Sequence, residues 1–177
     1  MPSSNARRMR IEPFDAKRHA VTAVTALLHA AYGGYAARGF RYTAATQDDA
    51  RTSARLSGGD AFVARDDDGA IVGTVTYYGA PSPSEAESIA WYRRADVGNF
   101  GQFAVAPDLQ RGGVGIALLD AVERCARIAG KSELACETNA ANEPLVAYYL
   151  RRGFREVGRF AWPGDDATCV VLSKALR

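Results

Sequence analysis

Apolar residues along the chain recur at two spacings, and the switches between them outline the elements. Alternation in Met9-Arg10-Ile11-Glu12-Pro13 predicts a short edge strand, ended by a proline that has no N–H for a sheet ladder. Val21, Val24, Leu27, Leu28 and Ala31 follow at helical spacing, with Asp15 as the expected N-cap and Gly33-Gly34 as the expected interruption. Thr46 with Asp49 predicts a second helix start, running through Leu56 to Gly58-Gly59. Residues 61–65 and 70–78 alternate like strands, and Asp66-Asp67-Asp68-Gly69 between them predicts a hairpin turn. In the long connection 81–96, Ser84 with Glu87 would cap a short helix through Trp91 and Tyr92. Such a connection can carry binding function, or Trp91 can pack on the core. A strand over 97–106 follows, in which Gly98 and Gly101 suggest a bulge.

A helix over 114–129 then places Ile116, Leu119, Val122 and Ala126 on one face and stops at Gly130. Residues 132–137 read as a strand, Asn142 and Pro144 open a helix that ends at Gly153, and 155–160 with 168–173 read as a final strand pair. The resulting order is that of a mixed α/β fold in one domain over 9–177, after a polar segment 1–8 expected to be disordered.

One junction in this pattern carries candidate chemistry. The apolar strand ending Phe103-Ala104-Val105-Ala106 meets Pro107, then Gln110-Arg111-Gly112-Gly113-Val114-Gly115, then a helical pattern. A glycine-rich turn at a helix N-terminus directs free backbone N–H groups one way, toward the dipole end that favours an anion. A turn without a ligand has the same composition. A Walker loop is excluded because no Lys-Ser or Lys-Thr pair follows the glycines. A dinucleotide fingerprint counted from Gly113 needs its third glycine at Leu118, although Glu137 lies at the spacing expected of a ribose-binding acid.

The stretch Gln110 to Gly115 resembles the pattern Gln/Arg-x-x-Gly-x-Gly/Ala, the acetyl-CoA pyrophosphate loop of the GNAT superfamily of N-acyltransferases. Downstream, Asn142, Tyr149 and Gly153-Phe154 resemble that family's second signature, an Asn, a Tyr seven residues later and Gly-Phe at the helix end. The two motifs cover about the C-terminal half of the chain. The resemblance implies a mixed, mostly antiparallel sheet with a splayed parallel pair, the strands ending at Ala106 and Glu137, that admits the pantetheine arm. It implies that acetyl-CoA is the co-substrate and an amine the acceptor.

It also implies residue roles: Gln110, Arg111, Gly112, Gly113, Val114 and Gly115 on the pyrophosphate, Phe103, Ala104 and Val105 along the arm, Asn142 on the arm or as a cap, and Tyr149 as general acid. The backbone N–H of Phe103 would polarise the acetyl carbonyl, while Tyr148 would serve packing. A glutamate or histidine base on the strand before the loop is missing from Val97-Gly98-Asn99-Phe100-Gly101-Gln102, which leaves Asp96, Glu87, Glu137 or water. Tyr32, Tyr35, Trp91 and Tyr92 suggest an aromatic-lined acceptor site. The alternatives from other classes are a non-catalytic acyl-CoA sensor and a dinucleotide oxidoreductase.

Composition narrows the partners. With 22 basic and 20 acidic residues the net charge is +2, which offers no broad basic surface for nucleic acid. Three widely spaced cysteines and two distant histidines argue against a metal site or a disulfide framework and fit a reducing cytoplasm. No stretch reads as a signal peptide or a membrane span. Homodimerisation stays open.

Overall fold

The computed structural model describes residues 9–176, so the expected disorder of 1–8 lies outside the described residues. Among the described residues there are seven strands: β1 (Arg10–Pro13), β2 (Asp60–Arg65), β3 (Ile71–Tyr78), β4 (Val97–Val105), β5 (Glu133–Asn139), β6 (Arg155–Ala161) and β7 (Thr168–Ala175). They form one sheet in the order β1-β2-β3-β4-β5-β7-β6. Antiparallel ladders join β1 to β2, β5 to β7 and β6 to β7, while β4 and β5 pair in parallel over Val97–Asn99 and Glu133–Ala135. Five α-helices accompany them among the described residues: α1 (Val21–Ala36), α2 (Asp49–Ser57), α3 (Pro83–Ser88), α4 (Val114–Ile128) and α5 (Glu143–Leu150).

The chain divides into two compact units. The first holds the described residues up to Thr76 together with Gln102–Ala121. Its core gathers Val24, Leu27, Leu28, Leu56, Val63 and Ala104 from α1, α2, β2 and β4. Beside this apolar cluster lies a buried polar chain: Thr25 donates to Thr52 (2.9 Å), Gln47 donates to Thr52 (2.7 Å), and the Gln47 and Gln102 amides meet at 3.0 Å. Each amide and hydroxyl of this chain of four residues therefore has a partner, as burial demands. The second unit holds Tyr77–Gly101 and the chain from Val122 onward. There Ile89, Tyr92, Val97, Ala135 and Val171 form an apolar cluster, with Trp91, Val157, Phe160 and Trp162 packed on it.

Several expected boundaries move, each for a local reason. Asp15 does not cap α1: its carboxylate accepts from the Lys17 N–H and its carbonyl from Arg18 and His19, closing a turn ahead of a helix that begins uncapped at Val21. Gly33-Gly34 does not interrupt α1, which runs on to Ala36. Ring contacts of Tyr32 with Tyr42, and of Tyr35 with Phe40 and Tyr42, fasten that last turn, outweighing a cost of about 1 kcal/mol per helical glycine. The cap of α2 is Asp48 rather than Thr46, and the capping box of α3 is Ser82 with Glu85 rather than Ser84 with Glu87. Trp91 and Tyr92 lie in a separate 3₁₀ turn, Ala90–Arg93.

On α4, Ile116 is 49% exposed, so the buried stripe is Val114, Leu118, Leu119, Ala121, Val122 and Ala126. Gly98 is needed for space, because a Cβ there would meet the Tyr77 ring at 2.7 Å. The irregular position in β4 is Gln102, a non-glycine at φ 52°.

Candidate active site

In the first unit the candidate residues form a backbone device. Ala106 donates its N–H to the Val72 carbonyl of β3 (2.8 Å), so by strand alternation Phe103 and Val105 turn their peptide groups to the opposite edge of β4. Side chains occupy the two carbonyls on that edge: the Tyr32 hydroxyl donates to Phe103 (2.8 Å) and the Gln110 amide to Val105 (3.3 Å). Ala104 is buried and faces the core. Pro107–Leu109 makes a 3₁₀ turn, and the chain then alternates in hand, with Arg111 at φ 69°, Gly113 at φ 89° and Gly112 between them outside the left-handed region. Such alternation turns successive N–H groups into one concavity, an anion-binding nest.

The Gly113 carbonyl accepts from Ala117 (3.1 Å), so α4 starts at this point, and the first N–H groups of a helix have no acceptor within it. A Cβ at Gly113 would meet no atom within 4 Å, so the space on that side is open to a ligand. Gly113 thus answers two needs, a left-handed backbone and an unobstructed approach. The exposed Arg111 adds a cation at the rim, and Val114 anchors α4 by burial.

The second unit carries side-chain chemistry. Tyr149 is 5% exposed on α5, in edge contact with Phe100 and Phe154. Its hydroxyl hydrogen-bonds the thiol of Cys136 on β5, which favours the thiolate, but burial and then the charge of Glu137 hold that thiol well above its ordinary pKa. Tyr149 is the more buried of the two neighbouring tyrosines. Tyr148 is half-buried, with the Arg152 guanidinium 3.5 Å above its ring. Asn142 is fully buried at the N-cap of α5, where its side chain makes no cap bond and its carbonyl accepts from Leu145 and Val146.

The carboxylates proposed as bases separate clearly. Asp96 is bound by Arg94 (2.8 Å) and Ser132 (2.6 Å), which hold its carboxyl far below the usual range and remove it as a base. Glu87 is exposed on α3. Glu137 on β5 is half-buried and accepts a 2.7 Å hydrogen bond from Tyr92, whose phenol is pushed well up by burial and then by the charge of Glu137. Among the described residues no group of three or more His, Cys, Asp or Glu could hold a metal ion, and no helix is long and apolar enough to cross a membrane.

Residues 22–154 match the family model described as Acetyltransferase (GNAT) family. The chain belongs to the GNAT acetyltransferase family. It is therefore an acyltransferase. An "IAA acetyltransferase" of Azospirillum brasilense is 35% identical over 72 residues, 41% of this chain and 47% of that protein, so the match spans about half the length of that relative. The structure of PH1933 from Pyrococcus horikoshii OT3 shares the fold at TM-score 0.72 and 19% identity, covering 96% of this chain and 99% of that one. A GNAT family acetyltransferase from Elizabethkingia anophelis, solved with acetyl-CoA bound, superposes at TM-score 0.65 and 18% identity over 95% and 98% of the two chains.

Within this GNAT chain the dinucleotide-oxidoreductase alternative falls, and the packing shows why Leu118 stands where that fingerprint needs glycine. The close approach of α4 to the sheet is made by a glycine on the strand instead: a Cβ at Gly73 of β3 would sit 2.9 Å from Leu118 and 3.1 Å from Val114. Gly73, the Tyr32 bond to β4 and the left-handed Gln102 escaped the sequence reading, because each depends on a neighbour remote in the chain. The expected aromatic acceptor wall resolves into two groups. Tyr32 and Tyr35 join Phe40 and Tyr42 in the first unit, and Trp91 and Tyr92 belong to the apolar cluster of the second. Trp91 packs there under the Arg94 guanidinium, which supports the core reading of that residue.

Proposed function

We propose that this chain transfers an acetyl group from acetyl-CoA to a primary amine by direct attack within a ternary complex. The observation that carries the reading is the alternating backbone from Arg111 to Gly113 at the start of a 15-residue helix, with open space beside Gly113. That is the architecture of a pyrophosphate cradle. The edge of β4 adds support, since a pantetheine amide is the kind of group that can pair with an exposed strand edge at Val105. Gln110 at 3.3 Å makes a long bond there that such an amide would displace.

In the reaction the neutral amine attacks the thioester carbonyl, the N–C bond forms and the C–S bond breaks. The Phe103 N–H would stabilise the oxyanion. Tyr149 would give its proton to the departing thiolate, a role suited to a phenol with an ordinary pKa of about 10.

Calorimetry with acetyl-CoA and NADH, on wild type and Gly113→Val, tests the reading. Acetyl-CoA should bind and NADH should not. Gly113→Val should weaken acetyl-CoA by at least about tenfold, because a branched residue strains the left-handed position and fills the open side. Equal acetyl-CoA affinity of the two proteins, each melting cooperatively, removes the loop from the site.

A further inference from the structure

We propose that the groove between the first half of α1 and the β2–β3 hairpin binds an apolar monocarboxylate, a body of hydrocarbon that ends in one carboxylate group. The groove holds a cavity of about 530 Å³ and lies wholly within the first unit. No residue of β4 or of the loop 110–115 lines it. The site is therefore separate from the proposed pyrophosphate cradle and stands independently of the acetyltransferase reading.

Most of the lining is hydrocarbon. Ala23, Ala26 and Ala30 lie three or four residues apart on α1 and so share one face, with Ile71 at the start of β3 lining the other side. Leu27 and Ile71 also pack with the core of this unit, which fixes the floor. The charged part of the lining is different in kind. Arg18 and Arg65 both line the groove, and among the described residues no aspartate or glutamate does.

A chain of bonds gathers the two arginines. His19 is 4% exposed and uses both ring nitrogens. Its Nδ1 accepts from the Asp15 N–H (2.9 Å), so the proton sits on Nε2, which donates to Glu12 (2.7 Å). Glu12 lies 3.4 Å from Nη1 of Arg65, and Asp15 accepts from Nε of Arg18 (3.2 Å). Nε of Arg65 donates to the Gly69 carbonyl (2.9 Å). Nη2 of Arg65 and both Nη groups of Arg18 keep no hydrogen-bond partner among the described residues.

A guanidinium with unused N–H groups is a bidentate receptor for a carboxylate. Glu12 and Asp15 hold the arginines without lining the groove themselves, so a ligand meets the cations and not their partners. Each arginine is already half compensated, which suits one negative charge better than two. The alanine and leucine walls gain from covering hydrocarbon. Both requirements together describe an apolar monocarboxylate.

The test titrates the full chain with octanoate, using 1-octanol and octylamine as uncharged and cationic counterparts. Octanoate should shift the ¹⁵N amide resonances of Ala26, Ala70 and Ile71. It should bind at least about tenfold more tightly than octanol, and octylamine should bind most weakly. Arg18→Gln and Arg65→Gln should each weaken octanoate by about tenfold and leave octanol unchanged. Arg18 is exposed, so its variant should keep the wild-type Tm. Ala26→Trp, also at an exposed position, fills the groove and should abolish binding of octanoate and octanol alike. Gly113→Val should bind octanoate as wild type does.

No shift at these three residues at about 10 mM octanoate, tenfold above a millimolar Kd, would overturn the site. Octanol or octylamine binding as tightly as octanoate, or an octanoate affinity unchanged in both arginine variants, would overturn the anionic ligand. Loss of octanoate binding in Gly113→Val would assign the probe to the cradle. A wild-type dimer that Ala26→Trp makes monomeric would show a second copy covering the groove. Either result would also overturn the proposal.

Discussion

The two units hold their candidate chemistry in different materials. In the first, the features that suit a ligand are peptide groups: the N–H groups around Gly113 and the edge of β4 at Phe103 and Val105 that faces away from β3. In the second they are side chains, Tyr149 against Cys136 and Glu137 against Tyr92. Peptide groups do not titrate in the working pH range, and their direction is set by backbone angles. Side chains titrate, and burial and neighbouring charge set what they do. Substitutions in the first unit should therefore act through shape, and those in the second through protons.

The largest effect expected from this contrast is at Tyr149. Tyr149→Phe keeps the ring against Phe100 and Phe154 and removes only the hydroxyl. Single-turnover acetyl transfer to propylamine should slow by about a hundredfold, with acetyl-CoA affinity unchanged. Tyr148→Phe, which retains the ring beneath Arg152, is the matched control and should be near neutral. A Tyr149→Phe rate within a few-fold of wild type, with binding intact, would falsify the acid assignment and leave the family membership standing.

An intermediate effect is expected at Gly73, where the first unit depends on shape alone. Gly73→Val forces new atoms against Leu118, Val114 and Ala64, and overpacking of this kind costs about 1–3 kcal/mol. Urea unfolding should show a lower midpoint for Gly73→Val. Gly33→Ala, where a Cβ meets nothing and α1 gains helix propensity, should be neutral or stabilising. Equal midpoints for wild type and Gly73→Val would mean that α4 can move off the strand at little cost.

The smallest effect is expected at Asp96, and only its pH dependence identifies it. Arg94 and then Ser132 depress its folded pKa below the ordinary aspartate value near 3.8. A depressed carboxyl contributes stability that is fully present above the unfolded value and is lost as pH falls through the folded one. Asp96→Asn should therefore lower Tm slightly at pH 7, and its deficit should shrink progressively below about pH 4. A deficit independent of pH would assign the effect to packing. The ion pair is solvent-exposed, so added salt should reduce the difference further.

Much of the site was legible because it is local. A strand, a proline, a glycine-rich turn and a helical stripe are consecutive, and the residue that bends the backbone, Gly113, is the one proposed to serve the ligand. The signature from Asn142 to Phe154 is equally local. The order of strands and helices followed from periodicity, since each element shows the spacing of its own buried face. What escaped was cooperative. Gly33-Gly34 reads as a break until four aromatic rings close over that turn, and Asp15 reads as a cap until its own turn takes its carboxylate. Glu137 reads as a surface acid until β5 places it beside a tyrosine 45 residues earlier.

The sequence by itself determined the alternation of strands and helices, the phosphate-suited loop and the positions of Tyr149 and Asn142, because φ preference, missing Cβ atoms and side-chain period are properties of neighbouring residues. Only the tertiary structure decided that the tight approach of α4 to the sheet is made at Gly73, that Tyr32 holds the Phe103 carbonyl, that Asp96 is occupied and that Glu137 accepts from Tyr92. Each of those outcomes depends on a distance between residues far apart in the chain. Burial then decides which polar groups must pair and which charges persist, and no local pattern encodes that.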